Sequence, residues 1–331
     1  KIIFYLGKSK VPLLFCFHEI KRYLCLKIEI VIRDGKVYAK PFVKWAGGKT
    51  QLLGEIERSL PRNFASIEDV TYVEPFVGGG AVLFWILQAY SNISRVVIND
   101  INSDLINVYR VIRDCPDKLV RELHQFQEEY TRLLEQERKD FYLENRKLFN
   151  KRSVSKDVQA ALFIFLNRTC FNGLYRVNAR GEFNVPYGKY VNPKICDEAN
   201  IQAVSRLLQK AEILCGDFSD SLKYASDKTF FYIDPPYKPL TETSSFTSYA
   251  KEGFNDEEQV RLAKFCSEIS MRKAMFVASN SDPQEVNPRE DLFYRIYGAF
   301  NIRKVQAARM INANPKGRGK LSELMITNIN L

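Results

Sequence analysis

The stretch TYVEPFVGGGAVLFWILQAY, residues 71–90, decides the fold. It opens on a β-favouring run ending at Glu74, crosses a turn holding Gly78, Gly79 and Gly80, and continues as the apolar pattern of a buried helix. Glycine between a strand and a helix lets backbone come close to a ligand. The arrangement recurs. SRVVIND ends at Asp100 and leads into INSDLINVYRVIRD, while EILCGD ends at Asp217 and TFFYID at Asp234. Strands alternating with helices predict an α/β fold, a mostly parallel sheet with helices on both faces. Further strands are expected at KAMFVASN, LFYRIYGAF and LSELMITN. Ligands of such sheets bind beyond the carboxyl ends of the strands, so the four strand-ending acids stand where chemistry is done.

Between Arg110 and Ala211 the alternation lapses. Charged helical sequence (DKLVRELHQFQEEYTRLLEQERKDFYLENRKLF) precedes NRTCFNGLYRVNARGEFNVPYGKYVNPK, in which NARGEFNV suits a turn or hairpin. This reads as a mainly helical lobe, residues 111–210, inserted between two parts of a sheet domain, 41–110 and 211–331. The chain carries a net charge of +10, and from Asn145 to Ile195 ten Lys/Arg face two Asp/Glu. A basic, aromatic-rich lobe favours a polyanionic partner such as nucleic acid. With two histidines and seven cysteines, none in a C-x-x-C pair, no metal site is expected and the thiols suit a reducing, cytoplasmic setting. The apolar runs of residues 1–40 are broken by charges and fall short of the roughly 20 residues of a membrane helix. No methionine precedes Met271, so residues 1–40 are expected to be an upstream extension or a fragment edge, with a genuine extra strand or hairpin as the alternative.

The acids and glycines together suggest an adenosine-containing cofactor. Asp100, about twenty residues after the turn, stands where a carboxylate takes ribose hydroxyls. Asp217 and Phe218 offer a carboxylate for an adenine amine and a ring for its face. GGKT at 47–50 resembles the tail of a phosphate-binding loop, but Val43 stands where that motif needs glycine. S-adenosylmethionine fits better than a nucleoside triphosphate, its ammonium met by Glu74 and its carboxylate by Lys49.

Asp234-Pro235-Pro236-Tyr237 follows a strand with two prolines that restrict the backbone. The Asp234 carboxylate and the Pro235 carbonyl can accept both hydrogens of an exocyclic aromatic amine, aiming its lone pair outward, while Tyr237 stacks on the base. Asp234 acts here by orientation and charge, with no need of a raised pKa. A base in a duplex reaches such a pocket only by leaving its stack.

At this point the chain resembles the Dam-type (alpha-class) DNA adenine methyltransferases over roughly residues 41–330. The matching stretches are FVKWAGGKTQLL, YVEPFVGGGAV, INDINSDLINVY, NRTCFNGLYRVNARGEFNVPYGKY, GDF, FYIDPPYKPL, SSFTSYAKEGF and GRGKLSELMITN. The resemblance implies a Rossmann-like S-adenosylmethionine-dependent sheet with an inserted DNA-recognition lobe. It places Trp45, Lys49, Phe76, Gly78, Gly79, Asp100, Asp217 and Phe218 at the cofactor, and Asp234, Pro235 and Tyr237 at the target amine. Lys44 would lie near DNA, Phe171 and Asn172 would wedge into the opened duplex, Arg176 would read a guanine, and Asn178 would assist. A core role for Phe171 and a phosphate contact for Arg176 are the competing readings. NRTCFNGLYRVN resembles the stretch that reads GATC in this family. SSFTSYAKEGF would form a loop over the site, and Lys316, Arg318 and Lys320 would touch the DNA backbone. Double-stranded DNA is the implied partner, with a separately acting restriction endonuclease as a possible associate. The rival readings are an RNA base methyltransferase and a catalytically inactive DNA binder.

Overall fold

The computed structural model describes residues 32–33, 36–45, 47, 49–238, 254–308 and 320–330. The expectations for residues 1–31, for most of SSFTSYAKEGF, and for Lys316 and Arg318 fall outside the described residues. Two short strands, β1 (Ile32–Arg33) and β2 (Lys36–Val37), pair as a small hairpin. The main sheet has seven strands: β3 (Val70–Glu74), β4 (Ile93–Ile98), β5 (Ala211–Ile213), β6 (Thr229–Ile233), β7 (Met275–Ser281), β8 (Asn301–Ala308) and β9 (Lys320–Thr327). Their spatial order is β5-β4-β3-β6-β7-β9-β8. Strands β3 to β7 run parallel, and β9 lies antiparallel between β7 and β8.

Side chains alternate across this sheet, as the two-residue strand period requires. Val70, Tyr72, Val96, Ile98, Phe230 and Tyr232 enter one core, and Val73, Val97, Phe231 and Ile233 the other. On the first face lie α1 (Leu53–Arg58), α2 (Ala81–Ala89) and α3 (Ser103–Asp114). On the second lie α8 (Asp256–Met271) and α9 (Leu292–Ile296). Between α3 and β5 come α4 (Pro116–Arg132), α5 (Glu135–Lys151), α6 (Lys156–Thr169) and α7 (Glu198–Leu208). Helix α6 is apolar on nearly every side because it is packed by α3, α4 and α5. Its residues share one continuous core with the first sheet face.

One strand expectation changes. The segment LFYRIYGAF begins as helix α9, and β8 starts only at Asn301. Burial fits the helix: Phe293 and Tyr297 enter the second core while Arg295 between them is exposed, whereas a strand would put all three on one face.

Candidate active site

The parallel register aligns the ends of β3 and β6. Val73 pairs with Phe231, so the turn after Glu74 and the segment from Asp234 leave neighbouring strands about 4.8 Å apart. The glycine turn is held from beneath. Val77 N–H donates to Asn99 O at 2.9 Å, Gly80 N–H to Val77 O at 2.9 Å, and Tyr109 Oη–H to Gly78 O at 2.9 Å. Gly80 caps α2 at φ 76°, and a Cβ there would stand 2.5 Å from Tyr109 Oη and 2.8 Å from Phe84. A Cβ on Gly78 would lie 2.9 Å from Trp45 Cδ1, so the indole rests directly on the turn. Trp45 is itself stacked on Tyr175 at 5.7 Å and Phe163 at 6.3 Å.

Asp100 fixes the turn from its side. Its Oδ2 accepts Gly78 N–H at 3.0 Å and its Oδ1 accepts Asn102 N–H at 2.9 Å. Loss of water pushes the carboxyl above the usual carboxylate range, and these backbone donors oppose the shift.

Glu74 is the last residue of β3, just before the turn. Its side chain is nearly enclosed, with the residue 2% exposed, and accepts Tyr72 Oη–H at 2.6 Å. Burial drives its carboxyl well above the usual range. The Tyr72 hydroxyl thus already engages Oε2 of this enclosed acid at the end of β3.

Asp217 is engaged by protein groups. It caps the short turn after β5 through Ser219 N–H at 2.9 Å, and it receives both Arg261 Nη groups at 2.8 and 2.7 Å. Those Arg261 bonds hold its carboxyl well below the usual range. The Arg261 guanidinium lies 4.2 Å over the Phe218 ring, which also neighbours Phe76 at 5.3 Å, Phe265 at 5.2 Å and Phe254 at 6.2 Å. Phe218 is therefore a buried wall, and the half-buried Phe76 ring beside it is the aromatic surface nearer the rim.

At the end of β6, Asp234 keeps 19% of its side chain exposed. Its Oδ1 accepts Ser279 Oγ–H at 2.9 Å and lies 3.2 Å from Lys49 Nζ. Loss of surrounding water raises the Asp234 carboxyl above its ordinary value, with Lys49 pulling it down. Its role in orientation does not require that shift, which follows from its place among β3, β6, β7 and β9. Lys49 is buried, 4.1 Å over the Tyr237 ring, so an ammonium already covers one face of the ring expected to stack on a base. Tyr237 Oη–H donates to Glu323 Oε2 at 2.6 Å, and Glu323 lies 3.7 Å from Lys49 Nζ. Pro235 is buried, and the buried Gln259 of α8 donates to Pro236 O at 3.3 Å.

The basic lobe joins this site through the Tyr175 and Phe163 rings on Trp45 and through Asn167. Asn167 is 3% exposed; its side chain accepts Lys44 N–H at 2.8 Å and donates to Lys44 O at 2.8 Å and Gly173 O at 2.9 Å. The turn Phe171–Gly173 is thereby tied to the segment carrying Trp45. Gly173 has φ 64°, and a Cβ there would fall 2.4 Å from Lys44 Cδ. The exposed Lys44 ammonium sits 4.5 Å over the Tyr190 ring. Phe171 is half exposed at 50%, and Asn172 beside it is exposed with φ 54°. Arg176 is exposed, its Nε–H donating to Asn184 Oδ1 at 2.8 Å. Asn178 lies in the turn after it. Its Oδ1 accepts Arg180 N–H and Glu182 N–H, and its Nδ2–H donates to Glu182 Oε2, so it closes the turn.

Sequence reading missed Asn167, Arg261, Gln259 and Glu323. Glu323 lies within LSELMITN, but its facing partner became visible only through the pairing of Ser281 with Glu323 across β7 and β9.

A sheet in which β9 is reversed between β7 and β8, with a glycine turn after the central β3 and an acid after β6, is that of a Rossmann-like methyltransferase. Residues 45–311 match the family described as D12 class N6 adenine-specific DNA methyltransferase, and the chain belongs to that family. It is 50% identical over 292 residues to the Type II methyltransferase M.MjaIII of Methanocaldococcus jannaschii, covering 87% of this chain and 99% of that one. It is 39% identical to the Type II methyltransferase M1.LlaDCHI of Lactococcus lactis subsp. cremoris, covering 90% of this chain and 98% of that one. To the DNA adenine methylase of Escherichia coli K12 it is 35% identical, covering 86% and 94%.

Proposed function

We propose that this chain transfers a methyl group from S-adenosylmethionine to the exocyclic amine of an adenine flipped out of duplex DNA, within GATC. The observation that carries the reading is the Asp234 carboxylate, oriented by Ser279 and Lys49, one strand spacing from the glycine turn. The chemistry of the turn suits the cofactor. Half-buried Asp100 is suited to ribose hydroxyls, Phe76 to the adenine face, and Lys49 to an anionic group. Trp45, Gly78 and Gly79 form the floor. Asp217 and Phe218 act through Arg261 and Phe76 rather than alone.

S-adenosylmethionine when bound supplies an electrophilic methyl on a sulfonium. The protein's part is to hold the nucleophile. Asp234 and the Pro235 carbonyl accept the two amine hydrogens, directing the nitrogen lone pair outward. Asp234 also stabilises the positive charge that grows on that nitrogen, which releases one of its two protons to water once methylated, and the rigid proline pair spares the site reorganisation. Tyr237 packs against the base with the face that Lys49 leaves.

Residues 111–210 would bear the duplex, with 41–110 and 211–331 as the catalytic part. Half-exposed Phe171 and the adjacent Asn172 suit insertion where the base has left. Arg176, pre-aimed by Asn184, suits bidentate contact with a guanine. The exposed Lys44 suits a phosphate or base edge beside them.

Methyl transfer from tritiated S-adenosylmethionine to unmethylated GATC duplex, adenine-methylated GATC duplex and ribosomal RNA tests the reading. Label is expected in the first alone. Label in RNA would favour an RNA base methyltransferase, and duplex binding without label an inactive binder.

A further inference from the structure

Three side chains meet beside Asp234: Tyr237 from the same segment, and Lys49 and Glu323 from distant parts of the chain. Glu323 Oε2 receives Tyr237 Oη–H at 2.6 Å and faces Lys49 Nζ at 3.7 Å, while Lys49 stands 4.1 Å over the Tyr237 ring and 3.2 Å from Asp234 Oδ1. Without Glu323 the Tyr237 hydroxyl would lose its charged acceptor, and Lys49 would answer to Asp234 alone. We propose that Glu323 is a positioning residue of the methyl-transfer site, holding the Tyr237 ring and the Lys49 ammonium in register with Asp234. The assignment rests on the methyl-transfer reading of Asp234 and Tyr237 given above.

Two effects follow from one carboxylate. The first is geometric. A phenol bonded to a charged acceptor is held more firmly than one bonded to water, and the ring plane is fixed with it. The second is electrostatic. Lys49 by itself would neutralise Asp234 and weaken it as an acceptor for the target amine. Glu323 shares the ammonium and adds a like charge, which keeps Asp234 a stronger hydrogen-bond base. The titratable groups around Asp234 are Lys49 from the turn before α1, Glu323 from β9, Glu74 from β3, Tyr232 from β6 and Tyr237. Among the carboxylates, Glu323 alone also contacts Lys49 and Tyr237 in the described residues.

Glu323→Ala and Glu323→Gln in the full chain separate the two effects. Each variant is assayed for turnover on duplex DNA across pH, for cofactor and DNA affinity by calorimetry, and for Tm. Glu323→Ala is expected to lower kcat about tenfold or more while changing either affinity less than about threefold, because the lost contacts act on the reacting groups. The acid limb of kcat should move to lower pH by about half a unit, since a like charge has left Asp234. Glu323→Gln still accepts from Tyr237, so it should recover most of the turnover and retain the displaced limb. Wild-type kcat in Glu323→Ala overturns the assignment, and so does a lower kcat with an unmoved limb. If Glu323→Ala does not fold, the limb of the isosteric Glu323→Gln decides. A wild-type chain inactive on duplex adenine overturns the function reading and this assignment with it. An active wild type with unaffected variants overturns this assignment alone.

Discussion

Lys49 Nζ lies 3.2 Å from Asp234 Oδ1, joining the turn before α1 to the end of β6 across the mouth of the sheet. The pair sets the charge at the point where the target amine would be held. Asp234→Ala is therefore expected to reduce kcat by about 10²–10³-fold or more, the scale of a lost preorganised electrostatic contact. Cofactor affinity should stay within about tenfold, since Asp100 and the turn are untouched. Single-turnover kinetics with separate calorimetry checks this; near-normal turnover would remove Asp234 from its assigned role.

Gly80 gives a sharper test of the turn. At φ 76° a side chain is strained, and its Cβ would meet Tyr109 Oη at 2.5 Å. Gly80→Ala should destabilise the protein by roughly 1–3 kcal/mol from backbone strain and overpacking. It should also weaken the cofactor more than DNA, because Tyr109 carries the Gly78 carbonyl. Denaturant melts and the two binding constants read both effects. Unchanged stability would mean that the turn relaxes around the methyl group.

Glu74 predicts a dependence of stability on pH. Burial raises its carboxyl well above the ordinary 4.5, so the folded protein keeps a proton that the unfolded chain releases. The contribution to stability is complete below the ordinary value and is lost as pH rises from there toward the folded-state value. Glu74→Gln cannot ionise. Its Tm should fall less steeply than wild type between acid and neutral pH, the curves parting by about 2–4 °C per kcal/mol of difference. Parallel curves would show that Glu74 is ionised at no cost in the fold.

Arg176 tests the reading surface. Asn184 orients its guanidinium from one side while the residue stays exposed. Arg176→Ala should cost about 1–3 kcal/mol of discrimination at a single base pair and relax specificity there. Competition between GATC and its single-pair variants measures it. A loss equal on all sequences would make the residue a phosphate contact.

Local physics made much of the fold legible. The strand ending at Glu74, the glycine turn and α2 follow from residues adjacent in sequence, as does α8 with its Asn255 cap. The helix at Leu292–Ile296 was not legible, because aromatic residues favour strands until a core takes Phe293 and Tyr297 and leaves Arg295 exposed between them. At the site, the positions of Asp100 and Asp234 beyond their strands could be read directly. The engagement of Asp217 by Arg261 could not, since 44 residues separate them.

The order of residues alone thus determined where the backbone stops, turns and stiffens: a carboxylate at or just past the end of each of four strands, three glycines before a helix, two prolines before a tyrosine. Those outcomes depend on torsional freedom and hydrophobic period, which neighbours in the chain dictate. The tertiary structure alone decided which charges face one another. Lys49, Asp234 and Glu323 meet because β6, β7 and β9 pair side by side, and Asn167 can tie Lys44 to Gly173 only because α6 is buried beneath both. A Coulomb or hydrogen-bond partner is fixed by distance in space, and that distance is set by the whole packing of the sheet.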